Sequence, residues 1–284
     1  MPNPRGDKHH YIPKFYLKRW AASDRRICEY SRPFKRVEPR WVHPDGTGYE
    51  RGLYSIPGMP PDLTNIVEQQ FLKPADNLAS MALDALLGGV PFPKPAEMRR
   101  DWSRFLFSLL MRFPEAQRAL KVDLTENVRQ QTVAAKDPAA EFQKITESND
   151  LERATAQIFL DLLRTSKVTT TLCGMVWEVI ELRDRQKNTF LTSDRPIIKT
   201  GRLYGLTEPH LVVPISPLHL FVASNDEHVF GILKGHVRDS LVAECNNEVV
   251  RSATKYVWGI DISQLRFVEN RLTKTPQAPF SFSG

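Results

Sequence analysis

The segment VTTTLCGMVWEVIEL, residues 168–182, marks the point at which the pattern of the chain changes. It is rich in β-branched and apolar residues, which favour strands. The later segments NTFLTS, HLVVPIS, LHLFVAS and YVWGID have the same character, and apolar residues between positions 235 and 255 recur at helical spacing. We therefore predict that residues 167–272 form a mostly antiparallel sheet with a final helix.

The chain before this point has the pattern of helices. From residue 61 to residue 166, apolar residues recur three and four positions apart, and proline and glycine separate the segments. Pro74 falls inside the first helix and is expected to kink or restart it. The broadest apolar stripe lies in residues 96–113 and is interpreted as core. The pattern predicts a central helical bundle over residues 61–166.

An N-terminal hairpin is predicted from RICEYSRPFKRVEPR, residues 26–40, in which two short strands flank a turn at residues 31–33. The predicted fold is therefore α+β. We expect a single composite domain over residues 1–284, with the N-terminal motif and basic hairpin in residues 1–60. The helical part, the sheet with the last helix, and a tail at residues 273–284 follow in that order.

The composition is typical of a globular protein, with 41% hydrophobic and 25% charged residues. No apolar run approaches the roughly 20 residues that cross a membrane, and no secretory leader is visible. The three cysteines lie far apart and lack metal-site spacing, which argues against disulfides and a structural zinc. These features predict a cytoplasmic protein with no membrane partner.

The positive charge is concentrated near the N-terminus. Residues 1–51 hold 12 Lys and Arg against 6 Asp and Glu, so this fifth of the chain carries the whole net charge of +6. Aromatic residues lie among these cations, and the two types together bind phosphates and unpaired bases. We expect nucleic acid to contact Arg25, Arg26, Lys35 and Arg36; the alternative is a solvated basic surface.

Four stretches resemble a known family: HHYIPKFYL at residues 9–17, FLTSDRPI at 190–197, PISP at 214–217 and NNEVVRSATKYVWG at 246–259. The family, bacterial and fungal, is known only as a domain of unknown function, so the resemblance implies a fold and no activity. The chain departs from the family at Arg195, where asparagine is common, and at Ile215, where leucine is. The resemblance carries over these residues: His9, His10, Tyr11, Pro13, Ser193, Asp194, Pro196, Pro214, Ser216, Pro217 and Asn246.

The adjacent histidines His9 and His10 precede a helix start at Pro13. A helix N-terminus disfavours a cationic imidazole, and a neutral imidazole can act as a base or bind a metal. In an extended segment the two rings point to opposite sides, so they are not expected to hold one metal together. One ring is expected to be functional, and the other to be packed or hydrogen-bonded.

Three further polar residues are candidates for the same site. Asp194 follows a strand, where it could orient a histidine or bind a divalent cation, or simply close a turn. Glu68 is a weaker candidate metal ligand, with a solvated charge as the alternative. Asn246 lies within the last predicted helix, where a buried amide needs partners and could hold a site or brace a loop.

These features lead to two hypotheses. The first is a nucleic-acid hydrolase that cleaves phosphodiesters with His9, His10 and Asp194 as catalytic residues, and with a divalent cation on Asp194 and Glu68 as the cofactor. The second is a non-catalytic module that binds nucleic acid or protein, in which the motifs are structural. No nucleotide-binding glycine loop and no serine nucleophile elbow is present. The predicted substrate-binding residues are Tyr11, Arg25, Arg26, Lys35, Arg36, Arg195 and Asn246.

Overall fold

A computed structural model describes residues 7–55, 65–88, 94–134, 136–147, 150–182, 188–236 and 239–273. It confirms the predicted α+β class, with an N-terminal hairpin, central helices, C-terminal antiparallel strands and a final helix. The expected tail beyond residue 273 lies outside the described residues.

The strands form three antiparallel sheets. A two-stranded ribbon pairs β1 with β4, a four-stranded sheet has the order β3-β2-β10-β6, and a second has the order β5-β9-β8-β7. The strands are β1 (Lys8–His10), β2 (Ile27–Ser31), β3 (Glu38–Val42), β4 (Tyr49–Arg51), β5 (Val176–Glu181), β6 (Thr192–Ser193), β7 (Ile198–Lys199), β8 (His210–Ser216), β9 (His219–Ser224) and β10 (Tyr256–Gly259).

In sequence order, most helices lie between the hairpin strands β2 and β3 and the strand β5. A π-helical turn, Val67–Leu72, leads directly into the helix α2, and short 3₁₀ turns cover Lys18–Trp20 and Pro44–Gly46. The α-helices are α1 (Lys14–Leu17), α2 (Lys73–Leu86), α3 (Pro95–Met111), α4 (Pro114–Thr132), α5 (Pro138–Glu147), α6 (Asp150–Thr165), α7 (Lys167–Gly174), α8 (Glu227–Gly235), α9 (Asp239–Ser252) and α10 (Leu265–Glu269).

The N-terminal hairpin is part of the C-terminal architecture. Its inner strand β2 pairs with β3 on one side and with β10 on the other, so that Cys28 lies opposite Gly259. One buried apolar cluster joins residues of β2 to β8, β9 and α9, and a second joins the N-terminal helix α1 to α2, α3 and β8. Long-range pairing therefore places the two ends of the sequence against each other.

One sequence prediction about an element boundary was wrong, and one helix was not expected. Residues 167–174 are helical although they are rich in β-branched residues, because the Ser166 hydroxyl caps the segment at the Val168 N–H and Leu172 is buried on its inner side. Strand structure begins only at Val176. The single helix expected near residues 235–255 is preceded by a separate helix, α8, whose N-terminus is capped by Asp226.

Candidate functional site

A cleft of about 740 Å³ opens between the N-terminal motif and the helix formed by the π-helical turn and α2. We call it the N-terminal cleft. Its volume lies within the range of ligand sites, about 300–1,000 Å³. Its wall carries two histidines, two carboxylates of the helix and four lysines. These residues are His9, His10, Glu68, Asp76, Lys8, Lys14, Lys18 and Lys73.

The N-terminal side of the cleft is fixed by backbone pairing. Strand β1 pairs with β4, which places His10 opposite Tyr49. The N–H groups of Tyr11 and Ile12 both donate to the Gly48 carbonyl, at 3.0 and 3.1 Å. Gly48 has a positive φ of 63° and a Cβ would lie 3.3 Å from Ile12, so glycine is required for this close approach.

The opposite side of the cleft is a π-helical segment. Such segments are rare and occur frequently at functional sites, because the wider turn moves a side chain out of the α-helical register. Pro74 lies at the start of the α-helix that follows. Proline cannot donate an N–H to the preceding turn, which accounts for a change of helix type there. Glu68 and Asp76 consequently face the same cleft without a break in the helix.

His10 presents a free base in the cleft wall. Its Nε2 atom is buried and has no hydrogen-bond partner among the described residues, and the backbone of Asp45 accepts a hydrogen bond from the ring. That bond therefore belongs to Nδ1, and the lone pair on Nε2 is unused. Burial, followed by the positive charge of Lys14, lowers the pKa of His10 from 6.5 to about 4. The ring is neutral at pH 7.

His9 has a structural environment instead. The Tyr54 N–H donates to its Nδ1 at 2.8 Å, and its Nε2–H donates to the Asn65 side-chain oxygen at 3.1 Å. The ring also stacks on Tyr54, with centroids 5.4 Å apart. Burial lowers the pKa of His9, so this ring too is neutral. Because both nitrogens are used, His9 has no free lone pair for a substrate or a metal.

Glu68 is the second unpaired group of the cleft. Its Oε2 atom is buried and has no hydrogen-bond partner within the described chain, and burial raises its pKa. Asp76 differs, because the fully buried Arg112 donates to both of its oxygens at 3.1 and 2.7 Å. Arg112 is therefore hydrogen-bonded to Asp76, although its charge also opposes the rise of the Glu68 pKa. Glu68 is the carboxyl of this pair that has no hydrogen-bonded cation and can give or take a proton.

The cleft has a surplus of positive charge, because four lysines face three carboxyl groups, those of Asp7, Glu68 and Asp76, and Asp76 is paired with Arg112. Lys14 and Lys18 are exposed, lie four residues apart and form no ion pair within the described residues. Lys73 donates to the Gln69 side chain at 2.7 Å, and Lys8 donates to the Asp45 carbonyl at 3.2 Å, neither of which neutralises the ammonium. The site can therefore hold an anion such as a phosphate.

Asp194 does not lie in this cleft. It is buried, and it accepts four hydrogen bonds from one turn: from the Thr254 N–H and hydroxyl at 2.9 and 2.8 Å, from the Lys255 N–H at 2.6 Å and from the Tyr256 N–H at 3.0 Å. Burial raises the pKa of Asp194, while these bonds oppose the rise. The structure thus does not bring Asp194 to either histidine, and all of its acceptor capacity is used to hold the turn.

The other predicted binding residues are also outside the cleft. Tyr11 is buried in the core on the Asp194 side. Arg195 lies over the Phe113 ring and 3.8 Å from the Glu115 carboxylate. Asn246 braces the segment before β6, since it accepts the Leu191 N–H at 2.8 Å and donates to the Thr189 carbonyl at 2.9 Å.

The cations of the hairpin are exposed but are not all free. Arg26 pairs with Asp24 at 2.7 Å and lies over the Trp41 ring. Arg25, Lys35 and Arg36 are exposed without an ion pair inside the described ranges. The hairpin region therefore has fewer positive charges free to bind a phosphate than the sequence indicates.

The predicted metal pair is not assembled. Glu68 lines the N-terminal cleft and Asp194 does not, and the described residues contain no group of three His, Cys, Asp or Glu side chains arranged to hold a metal ion.

Sequence reasoning did not identify Lys14, Lys18 or Arg112. The signal for the lysines is their four-residue spacing directly after the histidine motif, which places them on one side of a helix. The signal for Arg112 is its position at the end of the apolar run FLFSLLM, where an arginine is buried only with a partner.

Within the described residues, no helix combines the length and apolar character needed to cross a membrane. A search of curated proteins found no match, and neither did a search of solved structures. A family model matches residues 8–261, a range that contains both walls of the N-terminal cleft and the turn held by Asp194. The chain therefore belongs to the family of proteins of unknown function DUF4238.

Proposed function

We propose that the N-terminal cleft cleaves phosphodiesters, with His10 as general base and Glu68 as general acid. The observation that supports this most strongly is that two residues lining one lysine-rich cleft each have a buried side-chain atom without a partner among the described residues: Nε2 of His10 and Oε2 of Glu68. A buried polar atom without a partner is rare in a folded protein, and a ligand is one explanation for it.

The lysines supply the binding of the phosphate. A phosphodiester carries one negative charge, and the phosphorane-like transition state carries more. Lys14 and Lys18 are exposed at the cleft and free of ion pairs in the described chain, so they can approach the non-bridging oxygens. Preorganised positive charge stabilises the transition state more than the ground state, and thereby raises the rate as well as the affinity.

The base is His10. Its free Nε2 takes the proton from the attacking oxygen, which is a sugar 2′-hydroxyl or a water molecule. A pKa of about 4 makes a weak base, but Lys14 contributes to that low value through its charge. A bound phosphate offsets this charge and raises the pKa of His10, so the imidazole becomes a stronger base when the substrate is in place.

The acid is Glu68. Burial favours its protonated form, and in that form it donates its proton to the leaving oxygen. The oxygen that His10 deprotonates forms the new bond to phosphorus, and the bond to the leaving oxygen breaks. One proton moves from the attacking oxygen to His10, and another moves from Glu68 to the leaving oxygen. The reaction therefore requires a neutral His10 and a protonated Glu68 at its start.

The test is cleavage of labelled single- and double-stranded RNA and DNA by purified protein, with magnesium or with chelator. General acid–base catalysis contributes about 10²- to 10⁴-fold, so His10→Ala and Glu68→Gln should each lower the rate by roughly that factor. The matched controls are His228→Ala and Glu227→Gln, which change exposed residues at the start of α8 and should cleave at the parent rate.

Three results would count against the proposal. Equal rates in all five proteins would mean that a contaminant cleaves the substrate. If His9→Ala lowered the rate and His10→Ala did not, the general base would be His9 and not His10. Absence of cleavage of every substrate would favour the second hypothesis, a non-catalytic module that binds nucleic acid or protein.

A further inference from the structure

Another cavity is lined by residues of the hairpin. This groove, of about 450 Å³, opens between the hairpin turn, strand β3 and the turn at residues 254–256 that Asp194 holds. We call it the hairpin groove. The residues that carry its chemistry are two cations, Arg40 and Lys255, and two aromatic residues, Phe34 and Tyr256.

The groove has a fixed frame. Arg32 ties the hairpin turn to the C-terminal helix, because its guanidinium donates to the Leu272 carbonyl at 3.1 Å, to the Lys35 carbonyl at 2.6 Å and to the Glu269 carbonyl. On the other wall, the Asp194 carboxylate accepts the N–H groups of Lys255 and Tyr256. Both walls are therefore held by buried or multiply bonded side chains.

The groove offers a stacking surface at its rim. Phe34 is 80% exposed, so its ring is accessible to a ligand. Tyr256 is half-buried, and the Lys255 ammonium lies over its ring, 4.8 Å from the centre, so Tyr256 holds the ammonium at the groove. An exposed aromatic ring can bind a base by stacking while a nearby ammonium binds its phosphate by charge.

The groove also contains a carboxylate, Glu29. Its side chain is buried and accepts hydrogen bonds from Thr47 and from the Trp258 indole, so it belongs to the framework. A phosphate would consequently lie toward the rim, where Arg40 and Lys255 are exposed. Arg40 is 3.5 Å from Glu38, but an exposed pair of this kind is weak and is readily exchanged for a phosphate.

We propose that the hairpin groove binds one nucleotide of a single-stranded nucleic acid, with the base on Phe34 and the phosphate on Arg40 and on Lys255, which Tyr256 holds in place. This inference rests on the proposed function and deepens it, since it names the substrate class as single-stranded nucleic acid. A duplex is not expected to bind in this way, because its bases are already stacked and paired and have no face to offer.

The experiment measures binding separately from cleavage. A fluorescein-labelled oligouridylate is titrated with the full chain carrying His10→Ala, and anisotropy gives the affinity at several salt concentrations. Adding Phe34→Ala should weaken binding by about 5- to 150-fold, the range expected for loss of one stacked base. Adding Arg40→Ala with Lys255→Ala should flatten the slope of log affinity against log salt by about 0.7, the value expected for one neutralised phosphate on a single strand.

The matched controls are Val133→Ala and Lys234→Ala, which alter an exposed apolar side chain and an exposed lysine away from the groove. Groove variants that bind as tightly as these controls would overturn the inference. So would equal affinity for the single strand and for its duplex, or no binding at low salt. The groove variants could weaken binding even if the parent protein cleaves no substrate. That result would support the hairpin groove as a nucleotide site and reject the proposed cleavage in the N-terminal cleft.

Discussion

Replacing Asp194 by alanine removes the acceptor of four hydrogen bonds without touching the N-terminal cleft. Three of the donors are the successive backbone N–H groups of residues 254–256, and the fourth is the Thr254 hydroxyl. Within the described chain, the Asp194 carboxylate is therefore the one group that accepts hydrogen bonds from all four donors. We predict that its loss destabilises the fold rather than the chemistry.

The expected size follows from the donors that water cannot reach. Thr254 and Tyr256 are half-buried and Lys255 is exposed, so about two N–H groups are stranded when the carboxylate is removed. Each stranded donor costs about 1–3 kcal/mol, which gives roughly 2–6 kcal/mol and a central expectation of about 4 kcal/mol. Asp194→Asn should cost only about 1–2 kcal/mol. The Asn oxygen can occupy the Oδ2 position with three donors, and only the Thr254 N–H then faces the amide nitrogen.

The assay is urea denaturation followed by the fluorescence of the buried tryptophans, with Asp226→Ala as the control. Asp226 caps α8 through one bond, from the His228 N–H at 2.8 Å, so its loss should cost about 1 kcal/mol. The reasoning would be refuted by an Asp194→Ala protein whose free energy of unfolding lies within about 1 kcal/mol of the parent. An Asp194→Asn protein of parental stability that had lost cleavage would return Asp194 to the catalytic site.

Three further predictions concern stability. As pH falls from 6.5 towards 4, His10 is protonated in the unfolded chain but stays neutral in the folded chain. The free energy of unfolding should therefore decrease by up to about 3 kcal/mol. Urea titrations across this pH range should show a smaller decrease for the His10→Gln variant. Arg112→Met leaves Asp76 half-buried and unpaired and should cost about 3 kcal/mol in the same assay, with the exposed Arg129→Met near zero. We also propose that the chain is one domain, because β2 pairs with β10; calorimetry should then give a single transition, and two separated transitions would contradict this.

The fold class followed from local patterns because its main elements are marked by apolar residues. The apolar stripe of α3 and the apolar runs of β2, β8 and β9 are buried, whereas β3 is exposed along most of its length. The helix α7 did not follow, because β-branched residues disfavour a helix only slightly, and a serine cap with one buried leucine outweighs that preference.

The site could be predicted only in part. The histidine pair was visible as a motif, and the alternation of side chains along β1 explains why the two rings have different partners. Whether a nitrogen is free depends on residues far away in the sequence, such as Asn65 for His9 and Asp45 for His10. The role of Asp194 was equally invisible, since the turn that it holds is 60 residues or more downstream. A motif thus indicates that a residue matters without indicating whether it acts on a substrate or on the backbone.

The central claim, that His10 and Glu68 act as base and acid, is tested most directly by the pH dependence of kcat/KM for cleavage, which reports ionisations of the free enzyme. The account predicts a bell-shaped profile. The rate rises with pH near 4 as His10 loses its proton, and falls at higher pH as Glu68 loses its own above its ordinary pKa. In Glu68→Gln the rate should be lower and the falling limb absent. A rate that still rises between pH 6 and 8 in the parent, or a falling limb that persists in Glu68→Gln, would contradict the account.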